Sequence, residues 1–208
     1  MGRSVAARTA LLDAAERLFA ESGVAEISDR KVAEVAGNTN HSAVRYYFGG
    51  REGLLKALMA RHVHDVAQQR EGMAPPEDSV LGDIRGLVEP SMRVLDHLPR
   101  PSWRARFLDH VLHNPATLPL VREAQDTTPQ AVHLRASLAA RLRHLDPDIV
   151  AGRARLITRI VSTATAEVEA RAERDGEDPR WPQVGDFLVD AIAGMLSAPI
   201  SRPGRTES

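Results

Sequence analysis

The sequence predicts an all-α protein in two parts, an N-terminal three-helix head with a helix-turn-helix and a longer helical body. Three observations carry this. Apolar residues recur at three- and four-residue spacing, and no stretch sustains the alternation of a strand. Aromatic residues are only 4% of the chain while Ala, Leu, Val and Arg abound, a mix that favours helix over sheet. The run "EGMAPPED" at 71–78 is the clearest break in the pattern.

The elements follow in order. Leu11, Ala15, Leu18 and Phe19 share one face of a first helix, and Gly23 stops it. Ser28 is placed to cap a short second helix, 29–36, which turns Val32, Val35 and Ala36 inward and ends at Gly37. A third is expected over 41–47, broken by Gly49 and Gly50. A fourth starts near Arg51, carries Leu54, Leu55, Leu58 and Met59, and runs to about residue 70. Beyond the linker, helices are expected near 79–97, 101–113, 115–124, 128–144, 147–174 and 182–197. Pro101, Pro129, Pro147 and Pro182 stand near their starts, where a missing N–H does no harm. The closing "SRPGRTES", 201–208, reads as a disordered tail. The expected parts are therefore a head at 1–54 and a body at 55–200.

Bulk properties exclude several classes. No run approaches the ~18 apolar residues of a membrane span, and the charged N-terminus lacks the apolar core of a signal peptide. With no cysteine, the chain has neither disulfide framework nor thiolate chemistry. A cytoplasmic location is the simplest expectation. Net charge is -1, with +2 in residues 1–70 and -3 in the remainder. Binding to nucleic acid must therefore rest on where charges stand, not on their sum.

The stretch "AGNTNHSAVRYYFGGREGLLKAL", 36–58, places them. The third helix of such a head must offer polar groups to base edges while its other face packs on the first two. Ala43, Val44 and Phe48 supply the packing face. Thr39, Asn40, His41, Ser42 and Arg45 are polar with no core role, and Arg45 suits a guanine or a phosphate. The Tyr47 hydroxyl suits a phosphate oxygen. Arg51, beside the free N–H groups of the fourth helix, suits a second phosphate.

On these residues the chain resembles the TetR family of bacterial transcriptional regulators. Ser28, Arg30, Val32, Ala33, Ala36 and Gly37 carry the likeness, followed by Tyr46, Tyr47, Phe48, Arg51, Leu54 and Leu55. It covers about residues 8–58. One departure is a turn one residue longer than usual, with seven residues between Gly37 and Arg45; another is Arg45 itself, where Tyr is common. The resemblance implies double-stranded DNA as partner, contacted by Arg30, Thr39, Asn40, His41, Ser42, Arg45, Tyr46, Tyr47 and Arg51.

It also implies a ligand cavity in the body and pairing of the last two helices with a symmetry mate. For the cavity we expect Met92, Trp103 and Phe107 as walls, with Arg104 and His110 as polar anchors. For the homodimer interface we expect Leu156, Ile157, Ile160 and Ala164 from one helix, and Phe187, Leu188, Ala191 and Met195 from the other. The last helix is apolar around more than one face, which calls for two buried sides.

Other chemistry finds no footing. The sequence holds no phosphate loop, no dinucleotide fingerprint, no G-x-S-x-G and no H-E-x-x-H. His110 and His113 share a helix face and His62 lies near His64, but a metal site needs another convergent ligand. No metal, cofactor or catalytic group is expected. The arginines of "LRASLAARLRHL" alternate with leucines at helical spacing and read as a solvated face. The reading is a regulator, expected to repress, released from a palindromic operator by a small molecule. Its rival is a ligand-binding helical protein whose head no longer reads DNA.

Overall fold

The computed structural model describes residues 2–124 and 128–200, with side chains from residue 4 onward. The expected tail at 201–208 lies outside the described residues. Ten helices are described: α1 Gly2–Ser22, α2 Asp29–Val35, α3 Ala43–Phe48, α4 Arg51–Glu71, α5 Val80–His97, α6 Arg104–His113, α7 Leu118–Glu123, α8 Pro129–Arg141, α9 Pro147–Asp175 and α10 Trp181–Ser197. The sequence placed each of them. The largest differences are at α6 and α7, which each start three residues later than expected, at α8, which ends three residues earlier, and at α3, which starts two residues later.

Local chemistry explains the boundaries. Ser28 Oγ accepts from the Lys31 N–H, 3.1 Å, and starts α2. α3 begins late because two side chains hold the preceding turn in another shape. Asn38 Oδ1 accepts from the Asn40 N–H at 3.0 Å, and Asn40 Oδ1 from the Ser42 N–H at 2.9 Å. These consecutive Asx turns compete with helix for the same backbone donors. Gly49 ends α3 in the left-handed region, φ 76°, where a side chain would be strained.

Two apolar cores result. The first gathers Leu11, Ala15 and Phe19 of α1, Val32 of α2, Val44 of α3 and Leu54 and Leu58 of α4. It also contains Phe107 and Val111 of α6, both essentially inaccessible. Phe107 lies 6.3 Å from Phe19, centroid to centroid. The second core joins α5, α6, α8, α9 and α10 around Trp181, Ile84 and Val189. Here α10 packs along α5, α9 along α6, and α8 covers α5. Gly185 permits the α5–α10 approach, since a Cβ there would stand 3.0 Å from Met92 Cγ.

The head therefore does not close on itself. α4 leaves it to enter the body, and α6 of the body enters its core. The expected division between residues 54 and 55 falls inside a continuous packed region.

Candidate DNA-reading surface and ligand cavity

The turn before α3 and the outer face of α3 form one exposed polar surface. Thr39, Asn40, His41, Ser42, Arg45 and Tyr46 are exposed, as is Arg30 on α2. Tyr46 is 78% accessible, unusual for so large a ring without a covering partner. Tyr47 stands half-buried beside it, edge to face at 4.9 Å. Ala43 and Val44, on the opposite side, anchor α3 in the core. The Asn40 side-chain oxygen accepts from the Ser42 N–H, which fixes the orientation of the amide at this surface.

Arg51 is placed otherwise than the sequence suggested. Its guanidinium turns inward, donating to the carbonyls of Val24, at 3.3 Å, and Ile27, and its Nε lies 3.0 Å from Asp29. It also stacks over the Phe19 ring, 4.9 Å to the centroid. With its donors so committed, Arg51 fastens α4 to the α1–α2 loop rather than standing ready for a phosphate. Sequence reading missed this because a basic residue at a helix start has the same spacing in either role.

Behind the head lies a junction that motif reading did not find. Arg104 of α6 is 2% exposed. Its Nε donates to Glu16 of α1 at 2.6 Å and a terminal nitrogen to Asp65 of α4 at 3.1 Å. Arg61 of α4 reaches the same Glu16 oxygen at 2.7 Å and Asp13 at 2.5 Å. Burial works against the charge on Arg61, but Glu16 and Asp13 outweigh it and raise its pKa above the usual arginine value. Three helices are thus tied at one buried charge cluster.

A second lock holds α6 from the other side. Trp103, at its N-cap position, makes no capping bond, so the first N–H groups of the helix need an acceptor from elsewhere. Glu169 of α9, 3% exposed, supplies it, accepting from the Ala105 and Arg106 N–H groups at 3.2 and 3.0 Å and from Ser102 Oγ at 2.8 Å.

Between the helices of the body lies a cavity of about 590 Å³, open to solvent on one side near Arg135, Ala139, Ala154 and Thr158. That volume suits a drug-sized molecule. α4, α5, α6, α8, α9 and α10 all contribute walls, among them Met92, Leu108, Leu142 and Ile157. Met92 stands where the sequence suggested. Trp103, Arg104, Phe107 and His110 do not. Trp103 and Phe107 pack on the head core, and Arg104 is spent in the charge cluster. His110 Nδ1 lies 3.7 Å from where a Cβ on Gly23 would stand, at the end of α1. α6 does line the cavity, but with Ala105, Leu108 and Leu112. The helix has two apolar faces, and the aromatic one faces the head.

The proposed interface residues divide as well. Leu156, Ile160 and Phe187 are 51%, 44% and 71% exposed, Ala191 is exposed, and Ala164 and Met195 are half-buried. Ile157 and Leu188 instead point into the subunit's own core. Among the described residues no three His, Asp or Glu side chains gather as a metal site would require, and no helix is long and apolar enough to cross a membrane.

Comparison with known proteins bears on both parts. The family model "Bacterial regulatory proteins, tetR family" matches residues 11–58, from the middle of α1 to the first turns of α4. A TetR family transcription regulator from Marinobacter aquaeolei VT8 superposes with a TM-score of 0.59 at 16% identity, over 91% of this chain and 97% of that one. GusR of Salmonella enterica does so with 0.50 at 18%, over 91% and 95%. At such identities the likeness speaks for the fold, head and body together. A search of curated protein sequences finds no match.

One prediction follows from the placement of Arg51. Arg51→Ala should lower the urea midpoint by an amount worth about 1–3 kcal/mol, after discounting for its partial exposure. The salt dependence of DNA binding should stay as it was. An unchanged midpoint with a log–log salt slope flattened by about 0.9 would restore the phosphate contact.

Proposed function

We propose that this TetR-family transcriptional regulator acts in the cytoplasm as a homodimeric repressor, released from a palindromic operator when a small molecule fills the body cavity. The observation that carries the reading is α6. One face of this single helix completes the core beneath the DNA-reading surface, and the other is a wall of the cavity. A molecule that moves Leu108 or Ala105 therefore bears on Phe107 and Arg104, and through them on α1.

α4 offers a parallel route. His62 lines the cavity, while the adjacent Arg61 holds Glu16 and Asp13 of α1. A ligand changes DNA binding only by its different affinity for two arrangements of the heads. Coupling of about 1–3 kcal/mol gives a 5- to 150-fold change and must be reciprocal.

Dimerisation is supported by the exposed stripe of Leu156, Ile160, Phe187 and Ala191 on α9 and α10. Exposed apolar side chains on two helices that pack together, as α9 and α10 do, fit an association site. Two copies joined there would present their α3 elements to successive major grooves about 34–36 Å apart, hence a palindromic operator. Ile160→Asp should place an unpaired charge in that interface and yield a monomer by light scattering. A well-folded dimer of unchanged mass would move the interface elsewhere.

Base reading falls to the exposed groups around α3. Arg45→Ala should cost about 1–3 kcal/mol on the selected operator and little on random DNA, in binding titrations at fixed salt. Equal losses on both would make Arg45 a phosphate contact.

A further inference from the structure

The cavity's polar groups restrict the chemistry of what fills it. Among the described residues no Asp, Glu or Lys lines it. Three of its hydroxyls stand in a row on α9, at Thr158, Ser162 and Thr165, and each donates its proton to a carbonyl of its own helix. Thr158 Oγ1 gives to Ala154 O at 2.9 Å, Ser162 Oγ to Arg159 O at 3.0 Å, and Thr165 Oγ1 to Val161 O at 2.9 Å. Ser162 and Thr165 are each 6% exposed. With their protons so used, these oxygens retain only lone pairs, so the row is an acceptor row.

Three further polar groups line the cavity: Ser91 on α5, half-buried, whose hydroxyl can give or accept a hydrogen bond, and Arg135 and His62. Arg135 stands at the rim, exposed on α8, and already has an interaction of its own. His62 on α4 is half-buried and is likewise engaged. A cation would find no carboxylate, and an anion would meet the lone pairs of α9. Either ion would lose its hydration without recovering it, a large cost in so apolar a space. A hydroxyl or N–H on an otherwise apolar molecule would satisfy one of the α9 oxygens and leave nothing unpaired.

We propose that the ligand is an uncharged, mostly apolar molecule bearing a hydrogen-bond donor, seated with that donor on Ser162 and Thr165. This rests on the reading of the cavity as the effector site, and names its chemical class.

The test uses the full-length protein and three probes of equal chain length, decanol, decanoate and decylammonium, titrated calorimetrically at about pH 8, where both ions are charged. Decanol should bind at least about tenfold more tightly than either ion, since an unpaired buried ion costs more than that. Ser162→Ala together with Thr165→Val should weaken decanol about five- to tenfold. The urea midpoint should hold, because the deleted bonds stay within one helix. Ala154→Trp, at an exposed lining position, should block all binding. Decanoate binding as tightly as decanol, and losing that affinity in Arg135→Ala, would overturn the proposed class while leaving the cavity as effector site. Decanol binding that survives Ala154→Trp, or no binding by any probe, would overturn the class and the cavity reading together.

Discussion

The charge cluster around Arg104 is the constraint on which the rest of the molecule depends. A guanidinium only 2% exposed must have its charge answered inside the protein. Glu16 and Asp65 answer it from α1 and α4, and Arg61 then shares Glu16. The geometry is satisfied only when all three helices stand in register. A shift of α6 by one turn would bury a charge without its partner, so the junction admits few arrangements and separates them sharply.

The apolar packing around that cluster has the same consequence. α3 has six residues and α2 has seven, too short to enclose a core with α1 alone. The first core is finished by Phe107 and Val111 from the body. The proposed DNA-reading surface thus stands on a floor supplied by the part that holds the cavity. Glu169 fixes that floor from behind by capping α6, so α1, α6 and α9 form a continuous series of locked contacts.

Much of this was legible in the sequence. Helical periodicity placed all ten helices, and Ser28 marked the start of α2 because a cap has a local signature. The exposed polar set from Thr39 to Tyr46 was legible because its residues have no business in a core. The failures concern direction and distance. Trp103 and Phe107 were recognised as important apolar residues, but a helix with two apolar faces does not say which neighbour each one meets. Arg104 and Glu16 are 88 positions apart, and nothing in their local context marks them as partners. Ile157 lies next to Leu156, yet a helix turns adjacent residues by about 100°, and only packing decides which of them faces outward. Arg51 shows the same limit at close range.

The central claim is that head and body form one cooperative unit through α6. The two tryptophans report on its two halves, Trp103 beside the head core and Trp181 deep in the body. Trp181→Phe leaves Trp103 as sole fluorophore, and Trp103→Phe leaves Trp181. Urea unfolding of each variant should be followed by both fluorescence and far-ultraviolet circular dichroism. The account predicts that within each variant the two transitions coincide, as for a single two-state unit. A Trp103 transition well separated from the loss of helix, in the variant lacking Trp181, would mean that the head melts on its own and would contradict it.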